Sequence, residues 1–331
     1  MKLKKQETEM REKDHFFSPS NLVSFLGLSQ MPAPFKVIEN PDFPILISKS
    51  FAQRMRKGDW FDPLLLQVLP RAEELEEKEG FGTDPVGDTA AQKAPGLFYK
   101  YASRVLLLVS GRCAMRCRYC FRRSYYFGSV PADRPEWEQA WRYIENNKGI
   151  NEVILSGGDP LCLDAQDLAY HIQRSLALPH VKTVRIHTRV PVADPVRLNQ
   201  RVLDCITAVS DVKTCVVVVQ ANHAAELAGD CSVGLTRLRA TGTLLLNQSV
   251  LLKGINDTVE SLCELSRSLL GHGVFPYYLH QLDRVNGAAH FEVDEERGRE
   301  LVRELRGRLP GYAVPRYVRE VSGEGSKRPL A

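Results

Sequence analysis

From residue 104 onward the chain alternates short apolar runs with longer amphipathic ones. Apolar, β-rich runs fall at 104–109, 152–155, 182–187, 212–219, 243–250 and 274–279. Several are apolar without interruption, the pattern of strands buried on both faces of a parallel sheet. Helix-like stretches lie between them at 134–147, 165–176, 195–209, 233–241 and 258–271. Strand follows strand every roughly 30–40 residues, the spacing of repeated βα units. This pattern predicts an α/β fold, a partial (βα)6-type parallel barrel related to the closed eightfold barrel. A doubly wound sheet is the alternative. The polar motifs favour the barrel, because they fall at strand C-termini, where barrels build their active sites.

The flanks differ in texture. Capping residues at Ser18 and Ser20 precede an apolar run ending at Gly27, which predicts a helix. Further helices are predicted over 49–69 and 71–78, and a connector over 80–96. At the far end, a helix is predicted over 294–309 and a strand over 312–320, followed by a glycine-bearing tail. The expected organisation is a helical lead-in (1–95), the barrel (96–291) and a C-terminal segment (292–331).

Composition narrows the classes. The 331 residues are 44% hydrophobic and 25% charged, with a net charge of +4. That mixture suits a globular protein and is too weakly basic to argue for nucleic acid or a membrane. No stretch reaches the length of a membrane span. The first residues are charged and lack the apolar core of a secretory signal, so a cytoplasmic protein is expected.

The candidate chemistry begins just after the first strand. Cys113, Cys117 and Cys120 follow the spacing C-x3-C-x2-C. Three thiolates so placed can hold three irons of a [4Fe–4S] cluster and leave the fourth open for a ligand. Structural zinc is the rival, but it prefers four ligands in paired sets, and the other five cysteines are scattered singly. A disulfide framework does not suit a cytosolic chain. A zinc-stabilised binding protein, contacting RNA phosphates through Arg112, Arg116, Arg118, Arg122 and Arg123, remains the non-catalytic alternative.

Other signals are weaker alone. In SGGDP at 156–160, Gly157 and Gly158 permit close approach of a ligand, and Asp159 can accept from an ammonium group. Asn247 and Gln248 interrupt an apolar strand and need polar partners, from a ligand or from a satisfied core network. Arg189 ends the third strand and suits carboxylate recognition. Lys327, taken alone, is a solvated tail residue.

Together these residues resemble the lysine 2,3-aminomutase family of radical S-adenosyl-L-methionine enzymes. The resemblance runs from about residue 96 to the end. It rests on YASRVLLL at 101–108, the cysteine loop with Phe121, Arg122 and Arg123, and LSGGDPL at 155–161. It also rests on RIHTRVP at 185–191, NQSVLL at 247–252, and YYLHQLD at 277–283 with His290 and Phe291. Within the family, the short form ending just past a Ser-Lys-Arg-Pro motif resembles the enzyme that supplies β-lysine for elongation factor P.

The resemblance implies three cofactors: a [4Fe–4S] cluster on Cys113, Cys117 and Cys120; S-adenosyl-L-methionine; and pyridoxal 5′-phosphate on Lys327. It implies S-adenosyl-L-methionine contacts from Ser156, Gly157, Gly158, Asp159 and Gln248, with Arg189 nearby. Lys100 and Arg104 would face the cofactor phosphate, Lys100 standing where the family has arginine. Arg122 would hold the carboxylate of the substrate L-lysine. Asp283 and Glu320 would hold its side-chain ammonium, Glu320 replacing the family's aspartate. The implied product is β-lysine, in the R form, with an electron donor and a β-lysine ligase as partners. A radical enzyme acting on another amino acid or a peptide is the alternative.

Overall fold

The computed structural model describes residues 14–124 and 134–331. Six strands run parallel in chain order: β1 (Arg104–Ser110), β2 (Glu152–Gly157), β3 (Thr183–Thr188), β4 (Thr214–Val219), β5 (Leu244–Val250) and β6 (Phe275–His280). Helices α1 (Arg134–Asn146), α2 (Ala165–Leu176), α3 (Gln200–Ser210), α4 (Asp230–Arg239) and α5 (Val259–Gly271) alternate with them. The expected partial barrel is therefore present, with strand boundaries within about two residues of those read from periodicity.

The sheet also extends past the six strands. Arg316–Arg319 adds a seventh parallel strand beside β6, and Arg328–Pro329 pairs antiparallel with it. At the other edge, Leu97–Tyr101 and Gln92–Ala94 pair antiparallel outward from β1. The region expected as a connector over 80–96 thus contributes an edge strand.

Side-chain alternation separates two environments. Val105, Leu107, Val153, Leu155, Val184, Ile186 and Val217 are buried in one continuous apolar core with α1 residues Trp137 and Trp141. The other face of the strands lines the lumen, where Arg185, His187, Gln248 and His280 project into a cavity. The sheet does not close by backbone pairing among the described residues. Instead its two ends meet through side chains: Tyr101 Oη donates to Glu320 Oε1 at 2.5 Å, and Lys100 Nζ lies 3.9 Å from the same carboxylate.

The lead-in differs from the helical expectation. Among the described residues it forms only short helices, at Pro19–Phe25, Lys49–Gln53, Pro63–Leu66 and Asp88–Ala91, with a 3-10 turn at Ala72–Leu75. Gly58 takes a left-handed φ of 72°, and Asp62 caps a fresh helix at Pro63. Together they break the predicted 49–69 helix in two. The lead-in instead wraps the cysteine loop: Arg116 N donates to Leu46 O at 3.0 Å, and Arg118 N to Gln67 O at 2.9 Å.

Candidate active site

A cavity of about 940 Å³ opens at the C-terminal ends of the strands. Its wall includes Cys113, Cys117, Cys120, Ser156, Gln248 and Lys327. The volume lies near the upper end of small-molecule sites. Residues separated by more than 200 positions in sequence are brought together here by the curl of the sheet.

The cysteine loop is held from two sides. On the strand side, Gly157 has a φ of 132°, and a Cβ there would lie 2.3 Å from Ser110 O. A Cβ on Gly158 would lie 2.2 Å from Arg112 O. Gly158 N donates to Ser110 O at 2.6 Å, and Asp159 N to Arg112 O at 2.7 Å. What approaches the glycines so closely is the start of the cysteine loop itself. On the lead-in side, Arg118 donates two hydrogen bonds to Glu74, at 2.8 and 2.5 Å, and a third to Phe43 O at 2.6 Å. Arg123 joins the same carboxylate at 2.8 Å.

All three thiols are free of disulfides. Burial pushes the Cys113 thiol well up and that of Cys120 up to about 11. Coordination to iron would replace those protons. Among the described residues, no three His, Cys, Asp or Glu side chains gather as a single metal ion needs. Thiolates that each bind a separate iron have no such need, so the donor set fits a cluster better than tetrahedral zinc. The arginines offered as RNA contacts are in part committed inward. Arg118 and Arg123 serve Glu74, and Arg122 Nε donates to Asp88 at 2.8 Å.

Asp159 departs from its expected role. Its carboxylate accepts from the amides of Leu161, Arg189 and Val190 and from the Thr188 hydroxyl, at 2.6–3.1 Å. It ties the glycine turn to the end of β3 and has no evident capacity left for a ligand ammonium. Burial still pushes its pKa up to about 6. Asn247 and Gln248 divide the two possibilities open in sequence. Asn247 is a core tether to Ala221 and Ser249, whereas Gln248 lines the cavity.

The same cavity wall carries an acidic group with its cations. Lys327 Nζ donates to Glu320 Oε2. Burial raises the Glu320 carboxyl, but the Lys327 ammonium, with Tyr101 and Lys100, more than offsets it and holds the pKa below the usual glutamate value. Asp283 also lines the cavity, and burial, reinforced by Glu320 and only partly opposed by Lys327, lifts it to about 6. Lys100 donates to Val86 O and contacts Asp88 Oδ1, both at 2.7 Å. It is therefore already engaged by an acid. Arg104 stacks over the Tyr101 ring at 4.6 Å, and no carboxylate among the described residues lies within ion-pair distance of it. Arg104 is the better placed of the two for a cofactor phosphate.

Sequence reasoning missed several residues here. Asp88 joins Lys100 to Arg122, and these cations hold its pKa down against burial. His187 and His280 line the lumen from β3 and β6. Burial drives both far below the usual histidine value, so both imidazoles are neutral. The His187 Nε2 atom is buried without a hydrogen-bond partner, and it faces a region where a cofactor would supply one. The period-two pattern places both histidines on the lumen face, but only the curl brings them near Lys327.

The cysteine loop, the glycine turn and the parallel lumen define a radical S-adenosylmethionine type of protein, and the Radical SAM superfamily model matches residues 107–206. The chain is 41% identical over 288 residues to the L-lysine 2,3-aminomutase of Escherichia coli (strain K12), covering 87% of this chain and 83% of that one. It is 39% identical over 311 residues to the L-lysine 2,3-aminomutase of Buchnera aphidicola, covering 94% and 91%. Against the L-lysine 2,3-aminomutase of Haemophilus influenzae it is 35% identical over 335 residues, covering 99% and 98%. The chain belongs to the lysine 2,3-aminomutase family.

Proposed function

We propose that this protein moves the α-amino group of L-lysine to C3, giving β-lysine in the R form. The observation that carries this reading is a cavity lined at once by a three-thiol loop, a lysine paired to an acid, and a second acid. Cys113, Cys117 and Cys120 would hold the cluster. Ser156, Gly157, Gly158, Gln248 and Arg189 would surround S-adenosyl-L-methionine, and Lys327 and Arg104 would hold pyridoxal 5′-phosphate. When bound, the cluster and S-adenosyl-L-methionine supply a carbon-centred radical for hydrogen abstraction, and pyridoxal phosphate carries the migrating nitrogen.

The chain's own residues then bind, orient and shield. Arg122, kept in place by Asp88, would meet the substrate carboxylate. Asp283 and Glu320 meet the side-chain ammonium. Two acids there disfavour a substrate with a second carboxylate. Tyr101 and Lys100, bridging the sheet ends to Glu320, help exclude water from a site that handles a reactive radical.

The product's use follows from the family resemblance: transfer to elongation factor P by a β-lysine ligase, in the cytoplasm, with a reductant serving the cluster. No helix among the described residues is long and apolar enough to cross a membrane.

Anaerobic turnover tests the reading. Protein reconstituted with iron and sulfide receives pyridoxal phosphate, S-adenosyl-L-methionine, dithionite and L-lysine, and products are separated by chiral chromatography. (R)-β-lysine formed only with every cofactor present is the expected result. Release of 5′-deoxyadenosine without β-lysine would keep a radical enzyme and reject lysine as its substrate.

A further inference from the structure

Arg189 makes a contact that the reading above does not use. Its Nη1 donates to Cys117 Sγ at 2.6 Å and to Tyr119 Oη at 2.5 Å. Its Nη2 donates to Gln67 Oε1 at 2.7 Å and to Glu226 Oε2 at 2.9 Å. Every partner is itself fixed. Glu226 and Gln67 are fully buried, and Gln67 Nε2 donates to Glu226 Oε1 at 2.9 Å. The same Glu226 oxygen accepts from the amides of Asn222 and His223, each at 2.9 Å. Asn222 Nδ2 completes the set, donating to Gln67 Oε1 at 2.9 Å and to Tyr119 Oη at 2.6 Å.

The guanidinium is thus held from both sides, with one edge aimed at a cluster ligand. A cation that donates an N–H to a ligand sulfur stabilises the reduced, more negative cluster over the oxidised one. Glu226 works in the opposite sense, because its charge partly cancels that of Arg189. Gln67 comes from the lead-in, Arg189 from the end of β3 and Glu226 from the turn after β4. The folded barrel and its wrapping segment are both needed to form the arrangement.

We propose that the Arg189–Glu226 pair sets the reduction potential of the cluster on Cys113, Cys117 and Cys120, with Arg189 raising it and Glu226 restraining it. This rests on the cluster assignment and deepens it: Arg189 acts through the ligand Cys117 as a tuning residue. Reduction of the cluster must precede radical formation, so the pair decides how strong a reductant the protein requires.

The test is an EPR-monitored redox titration of the reconstituted protein under anaerobic conditions, beside iron and sulfide analysis. R189Q is expected to load iron normally and to shift the midpoint to a more negative potential. The expected size is about a tenfold loss in the reduction equilibrium, ~59 mV for one electron. E226Q leaves the guanidinium uncompensated and is expected to shift the midpoint the other way. Opposite shifts separate tuning from mere loosening of the loop, which would move both variants alike. An unchanged midpoint in iron-loaded R189Q, or shifts of the same sign in both variants, would overturn the proposal. Should R189Q fail to hold iron, E226Q decides alone: a higher midpoint supports the proposal, and an unchanged or lower one overturns it. Wild-type protein that takes up no iron and gives no cluster signal overturns the cluster assignment, and this proposal with it.

Discussion

Lys327 and Glu320, seven residues apart, form an ion pair inside the cavity. The ammonium of the protein's own lysine thereby occupies an acid that the proposed substrate's ammonium would need. Covalent attachment of a cofactor at Lys327 would take that ammonium away from Glu320 and weaken the main cationic hold on a buried carboxylate. An uncompensated buried carboxylate is costly, so the loaded site favours a ligand that brings an ammonium of its own. Glu320→Gln is therefore expected to raise KM for L-lysine by roughly tenfold to a hundredfold, the ~1.5–3 kcal/mol of a charge-assisted hydrogen bond. Steady-state kinetics at saturating cofactors measure it, and an unchanged KM would remove Glu320 from the substrate site.

Lys327 itself is expected to be separable from the cluster. Lys327→Ala should abolish borohydride-dependent fixation of pyridoxal phosphate to the chain and reduce turnover by more than about a thousandfold. Iron and sulfide content should match the wild type, because the cysteine loop is held by Glu74, Gln67 and the glycine turn. A covalent label persisting in this variant would place the cofactor on another residue.

Asp283 gives the site a pH limit. Its carboxyl is raised to about 6 by burial, and only its ionised form attracts an ammonium. Affinity for lysine should therefore be present above that value and fall as pH drops through it. A plot of kcat/KM against pH should show an acid limb no lower than about 6, because a cofactor on Lys327 would take away a cation that holds the Asp283 pKa down. Asp283→Asn should flatten that limb at a much lower level. Bound substrate would lower the Asp283 pKa, so the limb should be weaker in kcat than in kcat/KM. A limb that survives in Asp283→Asn belongs to a different group.

The strands, the helices between them and the cysteine loop were legible because each is local. The run at 214–219 is a buried strand by its own composition, and three cysteines within eight residues declare their chemistry without a neighbour. What was hidden depends on contacts across the chain. Nothing near Glu74 in sequence announces that it serves Arg118 and Arg123, and nothing near Gln67 marks it as a partner of Arg189. Asp159 shows the same limit in reverse: a carboxylate after two glycines suggests a ligand, but three backbone amides and the Thr188 side-chain hydroxyl claim it first. The lead-in was over-read as helix because its apolar residues pack on the barrel through short turns instead of one long amphipathic face.

The glycine turn carries its own expectation. At Gly158 any side chain would meet Arg112 O at 2.2 Å, a backbone atom that cannot move without moving Cys113. Gly158→Ala should therefore cost iron occupancy before it costs the fold. The far-UV spectrum should stay near wild type while reconstituted iron falls well below it. Full iron content in Gly158→Ala would mean that the loop shifts without harm.

Glu74 is expected to be the residue whose loss most loosens the lead-in from the barrel. Its carboxylate is buried and accepts from Arg118 at 2.8 and 2.5 Å and from Arg123 at 2.8 Å. Burial raises its pKa, but the two guanidinium groups outweigh that and hold it below the ordinary glutamate value. Arg118 is fully buried, so it cannot turn to water when its partner is removed. Glu74→Ala leaves that charge stranded, which costs about 3–5 kcal/mol when a buried pair is broken on one side. Urea unfolding followed by fluorescence should show this as a lower midpoint. Glu74→Gln, which keeps the shape and one acceptor, should lose less. Because Arg118 lies between Cys117 and Cys120, Glu74→Ala should also release iron to a chelator faster than the wild type. If it unfolds earlier yet holds iron as firmly, the glycine turn alone secures the loop, and the clamp from the lead-in serves stability only.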